Sequence, residues 1–253
     1  MICHYTAATV RGSRRENQDN IRVDETARMN TERDAFKSGN FHDSNIHMFC
    51  VCDGIGGECG GIVASATALN AVNQILQKTR PDEPLERAVL AAAQSAQEEV
   101  VRYYRSLRRL GGTTICMAAI RGTEYFFLNI GDSPAFHYHA SEETCSELSL
   151  RHNLETRKKT MGMTVLPGDA SYLTAYLGDA RRNAAQMAHT ATGFLSPGDA
   201  LLLCSDGVTN AYDIQSLTDA MKRGVSAENM VSYAAAQPDS DNCSAICLLF
   251  QNS

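Results

Sequence analysis

The 253-residue sequence has no uninterrupted apolar stretch of about 18 residues, which excludes a membrane-spanning helix. It has no Lys/Arg-rich run beyond pairs such as Arg14–Arg15 and Arg108–Arg109, and 23 basic against 29 acidic residues leave a formal net charge of −6. A nucleic-acid binder driven by charge is excluded on both counts. The opening MICHYTAATVRGS lacks the apolar core of a secretion signal, so a cytoplasmic protein is expected. No internal repeat, low-complexity tract or Pro/Gly-rich linker divides the chain, and residues 1–253 are expected to form one domain.

What is present falls into blocks. Cys3 to Val10 predicts a strand, Asn20 to Val23 a second, and Ile46 to Cys52 (IHMFCVC) a buried one too short for a helix. Residues 24–45 are polar and read as an exposed loop or hairpin tip. Ile62, Ala66, Leu69, Val72 and Leu76 then recur at helical spacing before Pro81. A second helix opens at Pro84 and carries Leu85, Val89, Ala92, Ala96, Val100, Tyr103, Leu107 and Leu110 up to Gly111–Gly112. From Thr113 the period shortens, and TTICMAAI, EYFFLNI, PAFHYHA and CSELSL predict an antiparallel meander. Residues 151–171 carry no assignable pattern. The run Asp199 to Cys204 predicts another buried strand, 213–223 and 226–236 helices, and Asn242 to Phe250 a last strand. Blocks of this kind favour an α+β layered sandwich over alternating parallel units.

The acids stand at the ends of these strands. Asp53 follows FCVC, Asp132 follows FFLNIG, Asp206 follows LLLCS, Asp241 precedes the last strand, and Asp19 follows Arg14 across a polar turn. Carboxylates so placed can meet at one rim, held rigidly by the strands. Without a partner they repel one another, so convergence requires a counter-ion; an all-oxygen set selects a hard one, Mg²⁺ or Mn²⁺. Gly54 lets backbone approach such an ion and offers its carbonyl. Taken singly, Asp-Gly and Gly-Asp pairs are turns, as at Gly168–Asp169, Gly178–Asp179 and Gly198–Asp199; only the combination carries a signal. Nine cysteines, an odd number lying largely in apolar runs, read as reduced buried thiols. Neither Cys243-x-x-x-Cys247 nor His137-x-His139 alone supplies a zinc site, and the two histidines, sharing one strand face, are expected to be packed or solvated.

Seven motifs, in order from residue 14 to 244, resemble those of the metal-dependent PP2C (PPM) protein phosphatases, particularly compact bacterial ones. They are Arg14-x-x-Asn17-Gln18-Asp19, Asp53-Gly54-Ile55-Gly56-Gly57, Gly111-Gly112-Thr113-Thr114, Gly131-Asp132-Ser133, Leu173-Thr174-Ala175-x-Leu177-Gly178, Ser205-Asp206-Gly207-Val208-Thr209-Asn210 and Asp241-Asn242-x-Ser244. The resemblance implies a four-layer αββα sandwich, two antiparallel sheets flanked by helix pairs. It implies two Mn²⁺ or Mg²⁺ ions at one end, with Asp53 bridging both, the Gly54 carbonyl on one, Asp206 and Asp241 on the other, and Asp19 in or just behind that shell. Asp132 resembles the residue that helps hold a third, weaker-bound ion, and Arg14 the arginine that grips the substrate phosphate. The implied activity is hydrolysis of phosphoserine and phosphothreonine in proteins by metal-activated water, with no protein nucleophile. Partners would be phosphorylated proteins, a Ser/Thr kinase and its targets among them, met by a monomer. The alternative is a catalytically weak relative serving as a regulatory or phospho-binding module.

Five positions depart from the pattern the resemblance sets. Gln18 stands where many relatives have glutamate, Ile55 where some have histidine, Pro134 where arginine is common, Arg151-His152 where an Asp-His pair is common, and Asn210 where some have aspartate. The family's flap would fall in residues 151–171, where Arg157, Lys158 and Lys159 offer contacts to acidic partners or form a solvated loop. The sequence is read as lacking the Cys-x5-Arg phosphate loop of thiol phosphatases.

Overall fold

The computed structural model describes residues 1–23, 27–28, 34–42, 44–55 and 60–252. In chain order, the strands β1 (Ile2–Val10), β2 (Asn20–Val23), β3 (Ala27–Arg28), β4 (Ala35–Phe41), β5 (His47–Cys52) and β6 (Gly54–Ile55) precede two long helices, α1 (Gly61–Leu76) and α2 (Leu85–Leu107). Then come β7 (Gly112–Thr113), β8 (Ile115–Arg121), β9 (Glu124–Ile130), β10 (Ala135–His139) and β11 (Thr144–Glu147). The remainder comprises α3 (Leu154–Thr160), α4 (Ala184–Met187), β12 (His189–Phe194), β13 (Ala200–Cys204), α5 (Asp206–Thr209), α6 (Ile214–Lys222), α7 (Ala227–Ala235) and β14 (Cys243–Gln251).

Two antiparallel six-stranded sheets form, in the orders β11-β10-β13-β14-β1-β4 and β12-β9-β8-β5-β2-β3. The pleat divides each apolar run between two layers. In β5, Phe49 and Val51 pack between the sheets against Tyr5, Phe127, Leu203 and Ile246, whereas Met48, Cys50 and Cys52 face α1 and α2. On the other side Phe136, Leu202 and Ala245 meet Leu217, Met221 and Val231 of α6 and α7. Burying each such side chain contributes about 1.5–3 kcal/mol, which is what fixes the register. The αββα sandwich is therefore as expected from the motifs.

Four local expectations need correction. The predicted meander is split: β8 and β9 pair in one sheet, β10 and β11 in the other. Gly131, at φ 114°, and Pro134 break the ladder, and the crossing leaves Asp132 at the rim. Within the expected loop 24–45, residues 35–41 form β4, an edge strand on β1, where Gly39 lets the strand lie directly under the Tyr5 ring. Helix α2 ends at Leu107, not Leu110, because Arg108 turns left-handed (φ 51°) and the Arg109 N–H donates to the Tyr104 carbonyl. The unassigned stretch holds α3, started by the Asn153 side chain accepting from the Thr156 N–H; α4 and β12 were not foreseen. Gly56 and Gly57 lie outside the described residues.

Candidate active site

Every predicted acid reaches one rim. A cavity of about 1100 Å³ is lined by Arg14, Gln18, Asp53, Gly54, Ile55, Thr114, Asp132, Asp206, Asp241 and Asn242, among others. Asp19 is fully buried beside it, its charge bearing on Asp53. An adjoining cavity of about 500 Å³ shares Asp132 and Asp206 and is walled by Arg151 and Asn210.

The residues around the acids explain the motifs. The Asp53 N–H donates to Thr114 Oγ1 (2.9 Å), and the Asp53 carbonyl accepts from the Thr114 N–H (2.8 Å) and Thr113 Oγ1 (2.8 Å). Gly112 must lack a side chain there, since a Cβ would lie 2.0 Å from the Leu177 carbonyl. Thus the Gly-Gly-Thr-Thr and Leu-Thr-Ala segments clamp the loop that carries Asp53 through its backbone. Asn242 does the same for residues 11–18: its Nδ2 donates to the carbonyls of Arg11 and Glu16 (2.8 Å each), and its Oδ1 accepts from the Gln18 N–H (2.8 Å). Ser205 Oγ donates to Asp19 Oδ2 (2.8 Å). Thr114, Asn242 and Ser205 are positioning residues whose roles the sequence reading missed; their only signal was membership of a motif.

The electrostatics are those of crowded anions. Burial first, then the charges of Asp19, Asp206, Asp132 and Asp241, pushes Asp53 well above the carboxylate range. Burial raises Asp19 to about 7 against the pull of hydrogen bonds from Ser244 and Ser205, and raises Asp132 to about 7 with help from Asp206. Asp206 is raised by burial and by Asp241. Asp19 Oδ1 is buried with no hydrogen-bond partner. Arg14 Nη2 donates to Asp241 Oδ2 (2.6 Å) at the cavity mouth. Among the described residues, no three of these carboxylates bring oxygens within 4.8 Å of one another, the arrangement expected of like charges that share a cavity. Such a donor set, acidic, oxygen-only and partly orphaned, fits hard divalent ions.

The model of the protein phosphatase 2C family matches residues 27–237, most of the chain. The chain belongs to that family. The matched span contains Asp53, Asp132 and Asp206, while Arg14, Asp19 and Asp241 lie outside it. A serine/threonine phosphatase stp of Listeria monocytogenes is 28% identical over 194 residues, covering 70% of this chain and 73% of that one. The structure of the S. agalactiae serine/threonine phosphatase superposes with a TM-score of 0.80 at 19% identity, over 98% of this chain and 100% of the other. The catalytic domain of the serine/threonine protein phosphatase PstP, solved with two manganese ions, gives a TM-score of 0.76 at 17% identity with both chains fully covered. This chain is thus a PP2C-type, metal-dependent protein serine/threonine phosphatase.

The departures from the PP2C pattern find places in the structure. Arg151 reaches Glu147 Oε1 (3.0 Å) and Thr209 Oγ1 (3.3 Å), and its charge eases that of Asp132 and Asp206. His152 Nδ1 accepts from the Gly131 N–H (3.1 Å); burial, with His189 and Arg182 nearby, lowers it to about 4 and keeps it neutral at that turn. Two of the three flap cations are engaged within the protein, Lys158 with Asp169 (2.7 Å) and Lys159 with Glu155 (2.6 Å). One expectation fails outright. Cys145 and Arg151 do stand at Cys-x5-Arg spacing. They form no phosphate loop, however, because Cys145 lies on β11 with its Sγ 3.7 Å from Met221 Sδ, and burial pushes its thiol up to about 11. The eight described cysteines are free thiols. Among the described residues no helix is long and apolar enough to cross a membrane.

Proposed function

We propose that Asp53, Asp206, Asp241 and the Gly54 carbonyl hold two Mn²⁺ or Mg²⁺ ions, with Asp19 steadying them from behind and Asp132 contributing to a third, weaker site. The observation that carries this reading is the convergence of Asp53, Asp206 and Asp241 on one cavity, where burial first and neighbouring carboxylates second raise the proton affinity of Asp53 and Asp206. When bound, such ions neutralise the acids and the phosphoryl oxygens and activate water at neutral pH.

The chain's own groups do the rest. Arg14, 60% exposed at the mouth, exchanges Asp241 for the substrate phosphate, to which its planar fork donates in parallel. Ile55 supplies no proton to the leaving alkoxide, and its carbonyl accepts from Tyr104 Oη (3.2 Å). Leu110, 94% exposed, and Tyr172, 67% exposed, edge the cavity and give a polypeptide substrate an apolar footing beside its phosphate. The substrates are therefore phosphorylated proteins, a Ser/Thr kinase and its targets among them. Free thiols at the eight described cysteines support a reducing, cytoplasmic setting.

Turnover of a phosphothreonine peptide by the purified chain tests the reading. Activity is expected with Mn²⁺, absent with chelator, and abolished in Asp206→Asn that remains folded. A folded, metal-loaded protein without turnover would instead make it a phospho-binding module.

A further inference from the structure

We propose that His137, His139 and Asp199 form a binding site for a transition-metal ion of the Zn²⁺ class, separate from the catalytic acids. One ring nitrogen from each histidine and one Asp199 oxygen lie within 4.8 Å of one another, and among the described residues this is the one group of three such donors that does so. The sequence offered two histidines on one strand face; the third donor comes from 60 residues further on, at the start of β13, which pairs with β10.

The surroundings are those of a metal site rather than of a lone packed histidine. Asp199 is fixed by N–H groups from both sides, Ala140 to Oδ1 (2.9 Å) and Ser196 to Oδ2 (2.9 Å). His137 presents Nε2 to Asp199 Oδ2 (3.2 Å) and holds Nδ1 against Tyr125 Oη (3.4 Å). That second contact orients a ligating ring by its far nitrogen. A structural Tyr-His-Asp chain needs only one imidazole, yet the ring of His139 lies with its centroid 3.8 Å from that of His137. Two nitrogens and one carboxylate with a fourth position open is the donor set of borderline ions, not of Mg²⁺. His139 is only partly covered, which gives an ion its entry. Because β13 (Ala200–Cys204) lies between Asp199 and Asp206, the proposed site and the catalytic acids sit at opposite ends of that strand, roughly 20 Å apart at about 3.3 Å per residue.

The test keeps the protein in excess Mg²⁺, so that the catalytic acids are filled, and titrates Zn²⁺ in competition with a chromophoric chelator. One Zn²⁺ per chain is expected, with His139→Ala weakening it about 100-fold while Mg²⁺-dependent phosphatase activity is unchanged. Co²⁺ bound to the unaltered protein should show d–d absorption without a thiolate-to-cobalt charge-transfer band, a readout that does not depend on any variant folding. Absence of Zn²⁺ binding, equal binding in active His139→Ala, or a thiolate band would each overturn the assignment.

Discussion

Asp179 and Asp53 are both carboxylates drawn away from water, and they have opposite chemistry. Asp179 accepts from Arg181 Nε (2.8 Å), the Arg181 N–H (3.1 Å) and Arg182 Nε (3.0 Å), and these donors hold it far below the usual carboxylate range. Asp169, in the next turn back, is likewise lowered by the Leu166 N–H and Lys158. Around Asp53 the neighbours are other carboxylates, and burial first, then their charges, moves its proton affinity the other way. The turn acids are complete as they stand. The rim acids lack such donors, and on the proposed reading cations take their place.

Exchanging the two kinds should produce opposite phenotypes. Asp53→Asn is expected to lower kcat/KM on a phosphothreonine peptide by about 10³-fold or more, while raising the metal-free Tm, because it removes a charge from a crowded set. Asp179→Asn should do the reverse, lowering Tm and sparing activity per folded molecule. A metal-free Tm that fell in Asp53→Asn would break the comparison.

A pH series sharpens it. Asp19 and Asp132 are raised to about 7 in the folded chain from an ordinary 3.8, so between about pH 4 and pH 7 the folded state binds more protons than the unfolded one. Metal-free stability from these groups therefore falls as pH rises through that window. Saturating Mg²⁺ should give a larger gain in Tm at pH 7.5 than at pH 5; His152 contributes to both states of loading and cancels in the difference. An equal gain at both values would show that the acids do not repel as argued. The smallest effect is expected at the mouth, where Arg14→Ala should raise KM about tenfold with kcat and metal affinity retained.

Much of this was legible in the sequence because the pleat and the helix turn impose fixed periods. The layers of β5 and the faces of α1 and α2 follow from them directly, and Asp53, Asp132 and Asp206 from their position after apolar runs. What escaped depended on distance in space. Strand β4 has weak strand propensity and exists because β1 offers an edge; β12 alternates half-buried with exposed residues and carries no strong apolar run. The sheet switch after β9 turned on one glycine and one proline that read equally well as a hairpin. Asp199 looked like a turn residue, and it is one, yet its partners at 137 and 139 could be found only once β10 and β13 were paired.

Strands β1 and β14 lie side by side in the interior of their sheet, in register over nine residues, and Asn242, at the entry to β14, is the tie that shapes residues 11–18. A chain still being translated therefore carries residues 11–18 for almost its whole synthesis without the ties that Asn242 makes to them. Asp241 and the Asn242 ties reach the cavity only with β14, so the site is complete only once that strand has emerged and paired with β1.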